Sequence, residues 1–229
     1  MVDIKVTYIK SFPQDLAARF RDWKTAKYPA LEQSFNDLVE HGQKPRALVI
    51  SCCDSRVMPT DLLSAAPGEL FVHRNIASLV PVYGAERGVG TSAAIEYAVT
   101  ALKVPHIFVI GHSRCGGVKG CVDMCEGNAP ALEAADSAVG QWLEILRPSY
   151  RALKAGLQET PQSPGSQEQP VERQLEHEAV RTSLANLMTY PYVRQAVEAD
   201  ELGLHGLWHD IADGALNTLD PDSMEFSEL

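Results

Sequence analysis

The chain has 229 residues, of which 45% are hydrophobic and 22% are charged, and this balance predicts one globular domain with a sizeable core. Its 20 Lys and Arg against 30 Asp and Glu give a formal net charge of −10. This acidic balance argues against nucleic acid and anionic membrane surfaces as main partners, because both require a basic footprint.

The N-terminal residues contain no long apolar stretch behind a basic start, and no window approaches the roughly 18 apolar residues of a membrane span. We therefore expect no secretory signal and no membrane contact. The five cysteines are an odd number, which favours a reducing compartment and metal or catalytic roles over disulfides. The expected location is the cytoplasm, with association with an organelle or microcompartment left open.

Helical spacing dominates the start of the chain. Leu16, Phe20 and Trp23 predict a first helix, and Pro29 is suited to open a second one, because the first helical position loses no needed hydrogen bond. We expect a helical arm over residues 1–45. Two placements are open for it: the arm packs on a partner subunit, or it folds back on its own sheet.

Short apolar runs alternate with helical segments after the arm. Continuous rather than alternating apolar runs, separated by a helical pattern over Thr91–Leu102, indicate parallel strands covered by helices. These strands are predicted at Ala47–Ser51, Glu69–His73 and His106–Ile110.

Beyond Gly116 the pattern is mostly helical, with a polar surface loop predicted over residues 160–170. Helices are predicted over residues 171–187 and 191–202, and an antiparallel hairpin is predicted from 204–210 and 214–218. The predicted class is α/β, with a mainly parallel central sheet, an N-terminal helical arm and a C-terminal antiparallel hairpin. The chain is assigned to one domain: arm 1–45, sheet core 46–126, and helices with hairpin 127–229.

Three polar clusters follow predicted strands, and they have the sequences Cys52-Cys-Asp-Ser-Arg56, His73-Arg-Asn75 and Gly111-His-Ser-Arg-Cys-Gly-Gly117. In open parallel sheets the working groups lie beyond the carboxyl ends of the strands. We therefore expect these clusters to converge on one crevice, although about 60 residues separate the first from the last.

Thiolates and an imidazole in such a crevice could hold a metal, and three of them leave one tetrahedral position for water. Cys115 would lie at a helix N-terminus opened by two glycines, where backbone N–H groups stabilise a thiolate. The alternative for Cys52 is a buried thiol that only packs. Its position directly after a strand and before Asp54 favours the metal.

Asp54 and Arg56 lie two residues apart, which allows a bidentate pair between carboxylate and guanidinium. A carboxylate fixed in this way can orient a metal-bound hydroxide. The alternative is a local salt bridge that only stiffens the turn.

The combined motifs resemble the signatures of the β-class carbonic anhydrases: Cys52-x-Asp-Ser-Arg56, His73-Arg-Asn-Ile-Ala77 and Gly111-His-Ser-x-Cys-Gly-Gly117. The similarity is dense over about residues 43–120 and continues into Leu204-His-Gly and Asp210-Ile-Ala. The resemblance implies reversible hydration of carbon dioxide to bicarbonate and a proton by zinc-bound hydroxide, with one Zn²⁺ per subunit.

The same resemblance implies residue roles. Cys52, His112 and Cys115 would be the zinc ligands, and Asp54 with Arg56 would be the catalytic pair. Gln43 falls where plant-type members place a glutamine that contacts substrate from the neighbouring subunit, which implies a homodimer or higher even oligomer. The substrate pocket would be lined by Phe71, Ile76 and Tyr97.

The other cysteines have simpler expected roles. Cys53 is expected to be a bystander, and Cys121 and Cys125 are expected to be packing thiols. Val49 stands where some bacterial relatives place a tryptophan of a second bicarbonate site, so the resting state is expected to keep Asp54 paired with Arg56.

Two alternative functions are open. One is a hydrolase of carbonyl sulfide or carbon disulfide on the same scaffold with the same ligands. The other is a non-catalytic zinc-binding scaffold protein, against which the intact Asp54 and Arg56 count.

Overall fold

The computed structural model describes residues 9–85, 88–159 and 169–229. The strands are β1 (Ala47–Cys52), β2 (Leu70–Asn75), β3 (His106–His112), β4 (Gly203–His209), β5 (Leu216–Leu219) and β6 (Phe226–Glu228). The helices are α1 (Gln14–Ala26), α2 (Tyr28–His41), α3 (Pro59–Leu62), α4 (Val89–Glu96), α5 (Gly116–Cys125), α6 (Pro130–Glu133), α7 (Ala138–Leu143), α8 (Arg147–Glu159), α9 (Val171–Leu187) and α10 (Pro191–Glu198). A π-helical turn over Tyr97–Ala101 prolongs α4.

The chain divides into two compact units, Met1–Gln43 and Lys44–Leu229. The first unit holds α1 and α2, and Pro29 lies in the first turn of α2, as its lack of a backbone N–H predicts. Neither helix has a buried residue. The assignment to one domain and the two placements of the arm stay predictions.

The second unit is built on one six-stranded sheet of order β2-β1-β3-β4-β5-β6. The four strands β2, β1, β3 and β4 run parallel, which confirms the predicted mainly parallel sheet. The predicted hairpin is present as β4 and β5, and β4 joins it to the main sheet by pairing with β3. The final strand β6 was not predicted from the sequence.

The burial of the strands explains why their sequences are continuous apolar runs. All six residues of β1 are buried, because β1 lies inside the sheet and is packed on both faces. One face carries Leu48 and Ile50 in a large core, and the other carries Val49 in a smaller cluster with Ile110 and Leu207.

Helix α9 packs closely on β3 because residue 111 is a glycine. A Cβ atom at Gly111 would lie 2.7 Å from Cγ2 of Val180 and 3.3 Å from Cδ1 of Trp208, so a side chain there would push the helix away. This close approach places the first half of α9 behind the carboxyl end of β3.

Strand register brings the predicted clusters to one edge of the sheet. Cys52 pairs with Asn75 at the ends of β1 and β2, and His112 pairs with His209 at the ends of β3 and β4. The predicted polar loop over residues 160–170 falls almost wholly outside the described residues. In the part of the chain that the structure describes, no helix is long and apolar enough to cross a membrane.

Candidate metal centre

Cys52, His112 and Cys115 form one buried cluster whose ligand atoms all lie within 4.8 Å of one another. Cys52 ends β1, His112 ends β3, and Cys115 is the residue that immediately precedes α5. A tetrahedral zinc with bonds of about 2.3 Å to sulfur and about 2.0 Å to nitrogen needs ligand atoms roughly 3.3–3.8 Å apart. The spacing of this cluster therefore suits such an ion after small side-chain adjustments.

The sulfur of Cys52 accepts a backbone hydrogen bond from Asp54 at 3.4 Å. A hydrogen bond from the Cys115 thiol is the largest cause that lowers the pKa of Cys52, to about 4, and burial opposes it only in part. Cys52 is therefore held as a thiolate, the form that binds a metal.

The sulfur of Cys115 lies at the start of α5, near the backbone N–H groups of Gly117 and Val118. The hydrogen bond to the Cys52 thiolate raises the pKa of Cys115, so the two thiols share one proton. Release of that proton to make two thiolates requires a nearby positive charge, which a divalent cation supplies.

The imidazole of His112 is oriented for a ligand role. Its Nδ1 lies 2.9 Å from the carbonyl oxygen of Ser113, which fixes the proton on Nδ1 when the ring is neutral. Its Nε2 is buried and faces the Cys52 sulfur, and it has no oxygen or nitrogen partner among the described residues. A metal at the cluster would take the place of this weak sulfur contact.

Asp54 and Arg56 form the bidentate pair that their spacing predicts. Nε of Arg56 lies 2.9 Å from Oδ1 of Asp54, and Nη2 lies 2.7 Å from Oδ2. These hydrogen bonds hold the pKa of Asp54 well below its usual range, so the carboxyl is ionised at neutral pH. Nη2 of Arg56 also donates to the carbonyl oxygen of Arg114 at 3.1 Å, which ties the pair to the segment between His112 and Cys115.

The predicted substrate residues lie in different places. Ile76 is close to the metal cluster, because a Cβ at Gly117 would lie 2.7 Å from its Cγ2. Phe71 precedes Asn75 by four residues along β2, which is roughly 13 Å at about 3.3 Å per residue. Phe71 instead packs on Tyr97, with ring centroids 5.8 Å apart, and Tyr97 is half-exposed. Gln43 is exposed at the end of the first unit.

Sequence reasoning missed two side chains that hold the cluster. Arg74 donates from Nε to the carbonyl oxygen of Cys52 at 2.8 Å and from Nη2 to that of Asp54 at 2.7 Å. The position of Arg74 in the polar cluster His73-Arg-Asn75 was the sequence signal that could have identified it. Glu176 of α9 accepts a hydrogen bond from the backbone N–H of Cys115 at 3.1 Å, and nothing in the local sequence marks it.

The other thiols stay outside the cluster. Cys53 is exposed, and Cys121 is buried against Leu143 and the rest of the core beside α5. Burial raises the pKa of Cys121 to about 12, so this thiol stays protonated. All five cysteines are free of disulfides.

Comparison with known proteins agrees with this geometry. A family model described as carbonic anhydrase matches residues 47–216. Beta carbonic anhydrase 3 of Arabidopsis thaliana is 34% identical over 203 residues, which cover 89% of this chain and 75% of that protein.

Solved structures give the same result. The β-carbonic anhydrase CcaA is 30% identical with a TM-score of 0.81, over 94% of this chain and 91% of that one. A tetrameric β-carbonic anhydrase of the ascomycete Sordaria macrospora is 31% identical with a TM-score of 0.73, over 90% and 95%. The chain therefore belongs to the carbonic anhydrase family of enzymes, in its β class.

Proposed function

We propose that this chain catalyses the reversible hydration of carbon dioxide to bicarbonate and a proton, with one Zn²⁺ held by Cys52, His112 and Cys115. The observation that carries the proposal is the buried cluster of two sulfurs and one imidazole nitrogen, whose ligand atoms all lie within 4.8 Å of one another. Two soft thiols and one imidazole form a donor set that suits zinc and leaves one tetrahedral position open.

When bound, zinc would lower the pKa of a water in its open position to about 7 and so would supply a nucleophile at neutral pH. Asp54 would accept a hydrogen bond from a water held there, through a lone pair that Arg56 does not use. Arg56 fixes the direction of that lone pair, because it binds both oxygens of Asp54. The strongly lowered pKa of Asp54 keeps it an acceptor throughout the working pH range.

Carbon dioxide is small and uncharged, so apolar side chains can hold it and exclude competing water. Ile76 supplies such a surface beside the start of α5. Phe71 and Tyr97 lie away from the cluster of their own chain, and their predicted contact with substrate requires the cluster of a neighbouring subunit. The same holds for Gln43, which plant-type members use across an interface.

We propose that the enzyme works as an even oligomer of identical chains. Tetrameric β-carbonic anhydrases among its structural relatives support this assembly. The exposed aromatic side chains of the first unit, among them Phe12, Phe20 and Trp23, offer apolar area that an interface would cover. A cytoplasmic, reducing compartment is proposed because the cluster needs Cys52 and Cys115 as free thiols.

The test is a comparison of substrates on one zinc-loaded preparation. Initial rates with carbon dioxide, carbonyl sulfide and carbon disulfide are measured for the wild type and for Cys115→Ser. We expect fast hydration of carbon dioxide that Cys115→Ser abolishes. A preference for carbonyl sulfide or carbon disulfide would contradict the proposal and show that the chain is a hydrolase of these substrates. A zinc-loaded chain that is inert on all three substrates would show that it is a non-catalytic scaffold protein.

A further inference from the structure

The segment His112–Cys115, here called the ligand turn, carries two of the three proposed metal ligands. Its backbone is unusual, because Arg114 is a non-glycine residue at φ 53°, in the left-handed region. Such a conformation persists only when surrounding contacts impose it. The contacts that hold the ligand turn therefore also set the positions of the His112 and Cys115 side chains.

Glu176 is one of these contacts, and its surroundings are unusual for a carboxylate. It is 4% exposed, and no Lys, Arg or His nitrogen of the described residues forms an ion pair with it within 4.0 Å. The nearest cation on its helix, Arg173, is engaged by Asp210 at 2.8 Å and by the ring of Trp208. Burying an acidic group is costly, and the hydrogen bond to the ligand turn offsets part of that cost.

The contacts of Glu176 are made to the backbone of the ligand turn. Oε1 of Glu176 accepts a hydrogen bond from the N–H of Cys115 at 3.1 Å, and the amide of Arg114 lies near the same carboxyl group. The carboxylate reaches the ligand turn because α9 approaches β3 closely at Gly111, where a side chain would clash with Val180, one turn after Glu176.

The ligand turn depends on this hydrogen bond because the space behind the turn is not filled by other side chains. A cavity of about 580 Å³ opens there, and its lining includes Cys115, Glu176, Glu172 and Arg173. The back of the turn is therefore not packed against solid core. Glu176 supports it at Cys115, and the hydrogen bond from Ser113 to Asp210, at 2.9 Å, supports it at the other end.

We propose that Glu176 is a positioning residue of the metal centre: its Oε1 holds the amide of Cys115 and thereby sets the Cys115 sulfur relative to Cys52 and His112. The role rests on the proposed metal site. It depends on the reach of the Glu side chain to the turn, and a glutamine, which keeps an oxygen acceptor at the same length, should fulfil it.

The experiment compares Glu176→Gln, Glu176→Asp and Glu176→Ala with the wild type and with Glu172→Ala. Glu172 lies on the same helix and lines the same cavity, but it makes no hydrogen bond to the ligand turn, so its variant is the matched control. The readouts are the rate of zinc release into a chromogenic chelator and the thiolate-to-metal charge-transfer band of the cobalt-loaded proteins. Neither readout involves carbon dioxide. Circular dichroism checks the fold of each variant.

We expect Glu176→Asp and Glu176→Ala to release zinc at least about tenfold faster and to shift the cobalt band, because partners that orient ligands typically contribute 10–100-fold in metal affinity. Glu176→Gln and Glu172→Ala should stay within about threefold of the wild type. If Glu176→Ala fails to fold, the result for Glu176→Asp still tests the proposal. The aspartate keeps the charge, but its side chain is too short to reach the ligand turn.

Wild-type release rates and spectra in both Glu176→Asp and Glu176→Ala would overturn the role of Glu176 alone. Release from Glu176→Gln as fast as from Glu176→Ala would also overturn it, because charge rather than reach would then matter. A wild-type chain that takes up no metal would overturn the proposed function as well.

Discussion

Arg56 holds both carboxylate oxygens of Asp54, its nearest acidic neighbour in sequence, at 2.9 Å and 2.7 Å. A carboxylate bound in this way cannot swing freely, so its remaining lone pairs point in a fixed direction. The arrangement is that of a fixed acceptor beside the cluster of Cys52, His112 and Cys115.

Asp54→Asn should retain the metal and lose about 100-fold or more in kcat, because an amide is a weaker acceptor and turns an N–H towards Arg56. The measurement is stopped-flow carbon dioxide hydration together with metal analysis. Asp61→Asn, an exposed carboxylate in α3, is the control and should keep full activity. Unchanged turnover in Asp54→Asn would reduce the pair to a local salt bridge.

Cys52→Ser should lose the metal and all hydration activity, whereas Cys53→Ser should keep both. The two thiols are adjacent in sequence, but only Cys52 is buried beside His112, and Cys53 is exposed. Zinc per chain is measured by atomic emission after extensive dialysis. Full zinc occupancy in Cys52→Ser would contradict the ligand assignment.

Arg74→Lys should destabilise the metal-loaded protein by about 1–3 kcal/mol, because lysine cannot donate at once to the carbonyl oxygens of Cys52 and Asp54. Urea unfolding followed by circular dichroism gives the free energy of unfolding. Arg46→Lys, at an exposed position just before β1, should change it by less than about 0.5 kcal/mol. Equal effects of the two variants would show that the hydrogen bonds of Arg74 do not stabilise the end of β1.

We expect the buried His177 to make the free energy of unfolding depend on pH. Burial, together with Arg181 and Arg173, lowers the pKa of His177 to about 4, against about 6.5 for an unfolded histidine. Between these values the unfolded chain binds a proton that the folded chain does not, so this site costs stability as pH falls from about 6.5 to 4.

His177→Phe keeps a ring against Trp208 and Phe226 but cannot titrate. We expect its free energy of unfolding, relative to the wild type, to rise by up to about 1.4 kcal/mol per pH unit as pH falls through that window. His41→Gln, at an exposed position, is the control. Parallel pH curves for wild type and His177→Phe would refute the assignment.

The metal cluster was accessible to sequence reasoning because it follows a general rule of parallel sheets. Cys52 and His112 end strands that read as apolar runs, and such ends meet at one edge of the sheet. The pairing of Asp54 with Arg56 was also local, since only two residues separate them.

The contacts of Arg74 and Glu176 could not be predicted in this way, because they depend on how distant segments pack. Glu176 lies 61 positions from Cys115, and its place depends on a helix that approaches the sheet at a glycine. The short strand β6 was missed because three residues carry too little periodicity to distinguish a strand from a turn.

The most direct test of the account is a zinc titration of the metal-free protein, with carbon dioxide hydration measured at each step. The account predicts that activity is absent without zinc, rises linearly and reaches its plateau at one zinc per chain, with no recovery in Cys115→Ser. Full activity in the metal-free chain, or a chain loaded with one zinc at this cluster that hydrates carbon dioxide no faster than buffer, would contradict it.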